Sequence, residues 1–181
     1  MIIIGIDPSL TSTGICVMDE EGGILSTEAV TSKFSGVKRL SDFKKQVIAM
    51  CQYIAGLDQK TVVFIEGYSF GSVGRKEFIA ELGGTIRLTL FEQEVEFIDV
   101  PPTVLKKYAT GKGNADKVAV AVAVMKQYCK EFPTTDQTDA FVLAEIGRAY
   151  FGLIPNLTKA KEEVIADMKA PKAKKKKVAK K

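Results

Sequence analysis

Apolar and polar positions alternate along this chain with two different periods. Residues 1–6 are an apolar, β-branched run, as expected of a strand buried on both faces. Asp7-Pro8-Ser9 ends it, because proline cannot donate to a ladder. Residues 13–18 and 24–30 flank Glu21-Gly22-Gly23, so a hairpin turn should join two more strands. The period then lengthens. Val37, Leu40, Phe43, Val47, Met50 and Ile54 recur every three or four residues, the stripe of an amphipathic helix. Residues 61–65 form a fourth apolar strand ending on Glu66. Residues 78–91 read as a helix in which Gly83-Gly84 either weakens the element or allows close packing. A fifth strand over residues 95–100 stops at Pro101-Pro102. A short helix is expected over residues 103–108. A further helix follows with Asn114 as its cap and Val118, Val122, Met125 and Cys129 as its stripe. A last helix covers residues 136–151. The order β-β-β-α-β-α-β-α-α-α predicts an α/β domain, a mixed five-stranded sheet flanked by helices, over residues 1–155. Residues 156–181 read as a basic, disordered tail.

Composition narrows the chemistry. Apolar residues are 46% of the 181 and charged residues 27%, enough to build a core. There is no histidine, which excludes imidazole bases, Ser-His-Asp and Cys-His triads and every histidine-containing zinc site. Cys16, Cys51 and Cys129 are far apart and form no CxxC, so they are expected to pack as small buried hydrophobes in a reducing compartment. The net charge of +4 conceals two opposite parts. Residues 1–168 hold 18 basic and 22 acidic residues, and the eight lysines of residues 169–181 have no acid among them. Such a tail suits polyanion binding through counterion release, and equally a solubilising or nuclear-address role. No stretch reaches the ~18 apolar residues of a membrane span, and the start lacks signal-peptide features. A soluble, cytoplasmic protein is expected.

Four acids stand where a core would not place them. Asp7 and Glu66 each close an apolar strand, at the end where open α/β sheets bind ligands. Asp136 and Asp139 lie three apart at a helix start and so share a face. Gathered carboxylates raise one another's pKa unless a cation lies between them, and Mg²⁺ suits an all-oxygen site. Each acid also has a plain structural reading: a turn former before proline, a helix cap, a solvated strand end.

Gly5-Ile6-Asp7-Pro8-Ser9-Leu10-Thr11-Ser12-Thr13-Gly14 resembles the first motif of the RuvC Holliday-junction resolvases. Phe64-Ile65-Glu66 resembles the family's second acid, and Asp136-Gln137-Thr138-Asp139-Ala140 its closing D-x-x-D-A. Lys106, followed by Gly111-Lys112-Gly113-Asn114-Ala115-Asp116-Lys117, resembles its lysine-bearing segment. The resemblance implies an RNase H-like fold and a Mg²⁺-dependent endonuclease that resolves four-way junctions by paired nicks, in recombination or phage genome processing. It implies that Asp7, Glu66, Asp136 and Asp139 ligate two ions per site, with Mn²⁺ as an alternative. Lys106 and Lys117 would then act beside the scissile phosphate. It also implies a homodimer acting on branched DNA, with three-way branches and flaps as further substrates. Gly67-Tyr68-Ser69-Phe70 stands where the family usually has Gln and then an aromatic wedge, and Ser9-Leu10-Thr11 replaces a commoner Gly-Ser. These departures and the basic tail resemble the phage-encoded branch, for which the compartment would be the bacterial host cytoplasm.

Around these motifs, Tyr68, Phe70, Arg75, Lys76, Lys107 and Lys112 are expected DNA contacts. Glycines let the backbone approach phosphate, and aromatics offer stacking faces to unpaired bases. Tyr68 and Phe70 suit a core equally well. Rival readings are a non-catalytic branched-DNA-binding module, an RNA-processing nuclease of the same fold, and an actin-like ATPase or sugar kinase. The last of these needs two lobes where 181 residues supply one.

Overall fold

A computed structural model describes residues 1–68 and 76–170, apart from the side chain of Lys76. The described residues include five strands: β1 (Ile2–Asp7), β2 (Thr13–Asp19), β3 (Ile24–Val30), β4 (Thr61–Glu66) and β5 (Glu96–Val100). They form one sheet in the order β3-β2-β1-β4-β5. The first two pairings are antiparallel, and β1–β4 and β4–β5 are parallel, so the sheet is mixed as the sequence predicts. β1 is central and every one of its residues is buried, which is why it reads as an unbroken apolar run. The β2–β3 turn is tied by Asp19, whose carboxylate accepts from Glu21 N and Gly23 N at 3.0 and 2.7 Å. Gly22 takes the positive φ that the turn requires.

Among the described residues six helices cover the two faces: α1 (Gly36–Ala55), α2 (Lys76–Glu92), α3 (Pro102–Thr110), α4 (Lys117–Tyr128), α5 (Thr135–Tyr150) and α6 (Lys159–Lys169). One core lies between the sheet and α1 and α2, with Ile2, Ile4, Ile6, Phe43, Val47, Leu82 and Ile86 buried in it. The other joins Ile3, Phe64 and Val62 to α3, α4, α5 and α6. Among the described residues no helix is long and apolar enough to cross a membrane.

Four expectations need correction. A helix, α6, occupies part of the segment expected to be tail, and Val164 and Ile165 bury their side chains in the second core. The fold therefore runs to about residue 169 rather than 155; residues 171–181 lie outside the described residues. The α4 stripe is also different. Val120 and Val124 face inward, whereas Val118 is 70% exposed and Val122 and Met125 are exposed with it. Asp116 rather than Asn114 caps this helix, accepting from Ala119 N at 2.7 Å. Finally, Cys16 and Cys51 are buried as expected, but Cys129 is exposed and ends α4 with φ +52°.

Candidate active site

Strand geometry places the first two acids. β1 and β4 run parallel with Ile6 opposite Ile65, so Asp7 and Glu66 lie side by side at the same end of the sheet. The turn after Asp7 is closed by the Thr13 hydroxyl, which accepts from Ser9 N at 3.2 Å and donates to Ser9 O at 3.0 Å. The other pair arrives on α5. Thr134 caps that helix by accepting from Gln137 N at 3.1 Å, and Gln137 Nε2 donates to Thr27 Oγ1 on β3 at 2.9 Å. Two glycines let α5 lie directly on the sheet. A Cβ at Gly5 would collide with Ala140 O, and one at Gly14 with Asp136 O. That close approach brings Asp136 and Asp139 to the end of β1.

Lys117, the first residue of α4, reaches into the same corner. Its Nζ lies 2.6 Å from Asp136 Oδ1, 3.5 Å from Asp139 Oδ2 and 3.7 Å from Asp7 Oδ2. Asp7 and Asp139 are buried and Lys117 is half exposed. Burial, then the Glu66 carboxylate beside it, then Asp139 push Asp7 well above the ordinary carboxylate range, and Lys117 offsets this only in part. Burial raises Asp139 to about 6 against the pull of Lys117. Burial would lower the Lys117 ammonium, but Asp7, Asp139 and Asp136 together outweigh it and hold the pKa above its usual value. The cluster is thus short of positive charge even with the lysine in place.

Asp7, Glu66, Lys117 and Asp136 line a cleft of about 200 Å³ together with Pro8, Ser9, Gly67, Tyr68, Ile79 and Gly83. Larger hollows occur between α1 and β2–β3 and beside the turn from α2 into β5. The first holds a single acid, Glu28, and the acids of the second, Glu92, Glu94 and Glu96, are all exposed, unlike the buried Asp7 and Asp139. Among the described residues no three His, Cys, Asp or Glu side chains form a finished metal cage. The Lys117 ammonium stands between three of the carboxylates. The donor set nonetheless fits a hard divalent cation: four carboxylates and no imidazole, with two of the carboxylates held protonation-prone by burial and by the neighbouring acids. Ion entry would require Lys117 to draw back.

The remaining expected residues are placed unevenly. Tyr68 sits on the cleft, 43% exposed. Lys106, on α3, makes no ion pair with the four acids. Lys107 pairs with Glu163 of α6 at 3.2 Å, and Lys112 is exposed after the left-handed Gly111. Phe70 and Arg75 lie outside the described residues, as does the side chain of Lys76. Two residues at the site escaped sequence reasoning, Arg87 and Asp99. Arg87 donates to Glu66 O at 2.8 Å and pairs with Asp99 at 2.6 Å. No local signal marks them, because their relation to Glu66 is created by α2 lying against β4 and β5.

Comparison with known proteins agrees with this geometry. The family described as crossover junction endodeoxyribonuclease RuvC matches residues 3–146. Among curated proteins of that name, one from Synechococcus sp. strain CC9311 is 26% identical over 163 residues, covering 81% of this chain and 98% of the relative. Another, from Caldicellulosiruptor saccharolyticus, is 28% identical over 152 residues, covering 80% and 90%. Among solved structures, Thermus thermophilus RuvC superposes with a TM-score of 0.64 at 21% identity, covering 87% of this chain and 99% of that one. The same protein in complex with a Holliday junction substrate gives 0.63 at 20% identity, covering 80% and 90%. The mixed five-stranded sheet is therefore an RNase H-like fold, and the chain belongs to the RuvC family.

Proposed function

We propose that this chain is a crossover junction endodeoxyribonuclease, a hydrolase that cuts the phosphodiester backbone of branched DNA and resolves Holliday junctions. The observation that carries the reading is the convergence of Asp7, Glu66, Asp136 and Asp139 from β1, β4 and α5 around the Lys117 ammonium. The family is one of metal-dependent nucleases. In this reading the four carboxylates hold Mg²⁺, two ions per site, with Mn²⁺ able to replace it. When bound, such ions supply Lewis-acid polarisation of the phosphate and a water acidic enough to attack phosphorus. Lys117 faces the developing negative charge at phosphorus once it leaves the carboxylates, as a positioned cation should. In this reading Lys106 supplies a second cation beside the phosphate, with Lys112, Lys107, Arg75 and Lys76 holding the backbone. Tyr68 and Phe70 are the aromatics assigned to stack on bases unpaired at the crossover. No side chain acts as a covalent nucleophile.

Paired nicks require two sites, and the outward face of α2 supports a homodimer. Ala80, Leu88 and Phe91 are exposed there, Phe91 at 73%, with Gly84 between them. The place of action is wherever branched DNA is processed, the cytoplasm in a bacterial cell.

The test is cleavage of an end-labelled immobile four-way junction beside a matched linear duplex, with Mg²⁺ or EDTA. Paired nicks near the crossover that vanish in EDTA are expected. Glu66→Gln and Asp7→Asn should lower the rate at least 10³-fold while leaving junction binding intact. Equal cutting of linear duplex would remove branch selectivity from the proposal. Wild-type rates in either amide variant would remove the metal site.

A further inference from the structure

Arg87 projects its guanidinium into the corner where α2, β4 and β5 meet, and it is almost fully consumed there. Nε and Nη2 donate to Asp99 Oδ1 at 2.8 and 2.6 Å. Nη1 donates to Gly83 O at 2.9 Å, and Nη2 also donates to Glu66 O at 2.8 Å. The guanidinium carbon lies 4.5 Å from the centroid of the Tyr68 ring. The side chain is 11% exposed. The planar fork donates four hydrogen bonds here while one of its faces lies on the ring, and an ammonium, with three donors, cannot reproduce the set.

A second, independent feature is cut to the same shape. Gly83 lies in the middle of α2, where glycine is a poorer helix former than alanine. A Cβ there would stand 2.8 Å from Arg87 Nη1 and 3.6 Å from Tyr68 Cε1, and one at Gly84 would stand 3.8 Å from Tyr68 Oη. The glycine pair leaves room for the guanidinium and the ring.

We propose that Arg87, anchored by Asp99 and admitted by Gly83, is a positioning residue of the nuclease site. It fixes the backbone of Glu66 at the end of β4 and orients Tyr68 across the cleft. One face of the Tyr68 ring is covered by the guanidinium, leaving the opposite face for a base. The inference rests on the reading of Glu66 as an ion ligand and of Tyr68 as a DNA contact. It goes beyond that reading by naming what holds both in place.

The experiment compares Arg87→Met, Arg87→Lys, Gly83→Ala and Glu66→Gln with the wild type, each as the full chain. Three quantities are measured: single-turnover cleavage of a saturating four-way junction in Mg²⁺, junction Kd in EDTA, and Tm. Arg87→Met and Gly83→Ala should both cut at least tenfold more slowly with Kd changed less than threefold. Gly83→Ala should do so with a Tm equal to or above that of the wild type, which a merely structural role would not produce. Arg87→Lys should remain close to Arg87→Met. Full activity in Arg87→Lys would show that charge suffices and overturn the fork. If Glu66→Gln is inactive while Arg87→Met and Gly83→Ala cut at the wild-type rate, the positioning role alone is wrong. A rate loss in Gly83→Ala that only tracks a fall in Tm overturns it as well. Wild-type cutting by Glu66→Gln would sink the site reading, and this inference with it.

Discussion

Asp139 titrates near 6 because burial removes water from a carboxylate whose ordinary pKa is 3.8, and Asp7 is pushed in the same direction. The sign of the consequence is fixed by proton linkage. Between pH about 4 and 6 the folded metal-free protein binds more protons than the unfolded chain, so its stability falls as pH rises through that window. Asp139→Asn should therefore stabilise the metal-free protein at pH 8 relative to wild type, by about 1–3 kcal/mol, while abolishing cleavage. At pH 4 the gain should vanish. Urea denaturation in EDTA at the two pH values checks this, and a variant less stable than wild type at pH 8 would contradict it. Cleavage should run the other way, rising as pH passes 6 because ion capture needs Asp139 ionised. The four acids are legible in the sequence because each stands where an apolar period breaks. Asp7 and Glu66 terminate strands, and Asp136 and Asp139 share one helical face. Arg87 is not legible, since a lone arginine on an amphipathic helix looks solvated until the fold sets it against Glu66 O.

At the scale of elements, glycine and cap positions decide which surfaces meet. α5 can lie on β1 and β2 only where no side chain intervenes. A methyl group at Gly5 would overlap the Ala140 carbonyl and approach Ala144 N to 2.8 Å, both backbone atoms that cannot swing aside. Gly5→Ala should thus cost roughly 3 kcal/mol or more, as overpacking against backbone does, with cleavage lost as α5 is lifted from Asp7. Retained activity at wild-type stability would show that α5 tolerates the shift. The helix α4 teaches a different lesson. Its sequence, Lys-Val-Ala-Val-Ala-Val-Ala-Val-Met, is apolar on nearly every side, so periodicity offers two competing stripes. Packing against α5 and α3 selects Val120 and Val124 and leaves Val118 outward. Val124→Ala should cost about 1–2 kcal/mol and Val118→Ala less than about 0.5. Comparable losses at both positions in denaturant titrations would mean that the outer stripe is buried in solution. α6 is hidden in the sequence for a related reason: its short Val164-Ile165 anchor sits among lysines and acids and shows only once α3 is there to receive it.

For the molecule as a whole, charge distribution sets a problem that the fold alone does not solve. Residues 1–168 carry a net charge of −4, and the carboxylates at the cleft add to the field a phosphate must approach. Lys117 is already committed to three of those carboxylates, and Lys107 to Glu163. If the chain acts on DNA as proposed, the lysines of residues 171–181, seven of them without an acid between, are expected to add long-range attraction to that of the lysines near the cleft. Backbone neutralisation of this kind is blind to branch structure and strongly salt-dependent, each phosphate contact contributing about 0.9 to the slope of log K against log salt. Removing residues 171–181 should leave the cleavage rate at saturating junction unchanged. It should weaken four-way junction and linear duplex binding alike, by roughly tenfold or more at 0.15 M salt, and lower the salt slope by about 2–4. Fluorescence anisotropy titrations across 50–300 mM KCl measure all three quantities on the same samples. A loss confined to junctions would assign the lysines to branch recognition, and an unchanged slope would place them off the DNA. Parallel loss on both substrates would leave branch selectivity to the cleft, with Tyr68 at its mouth.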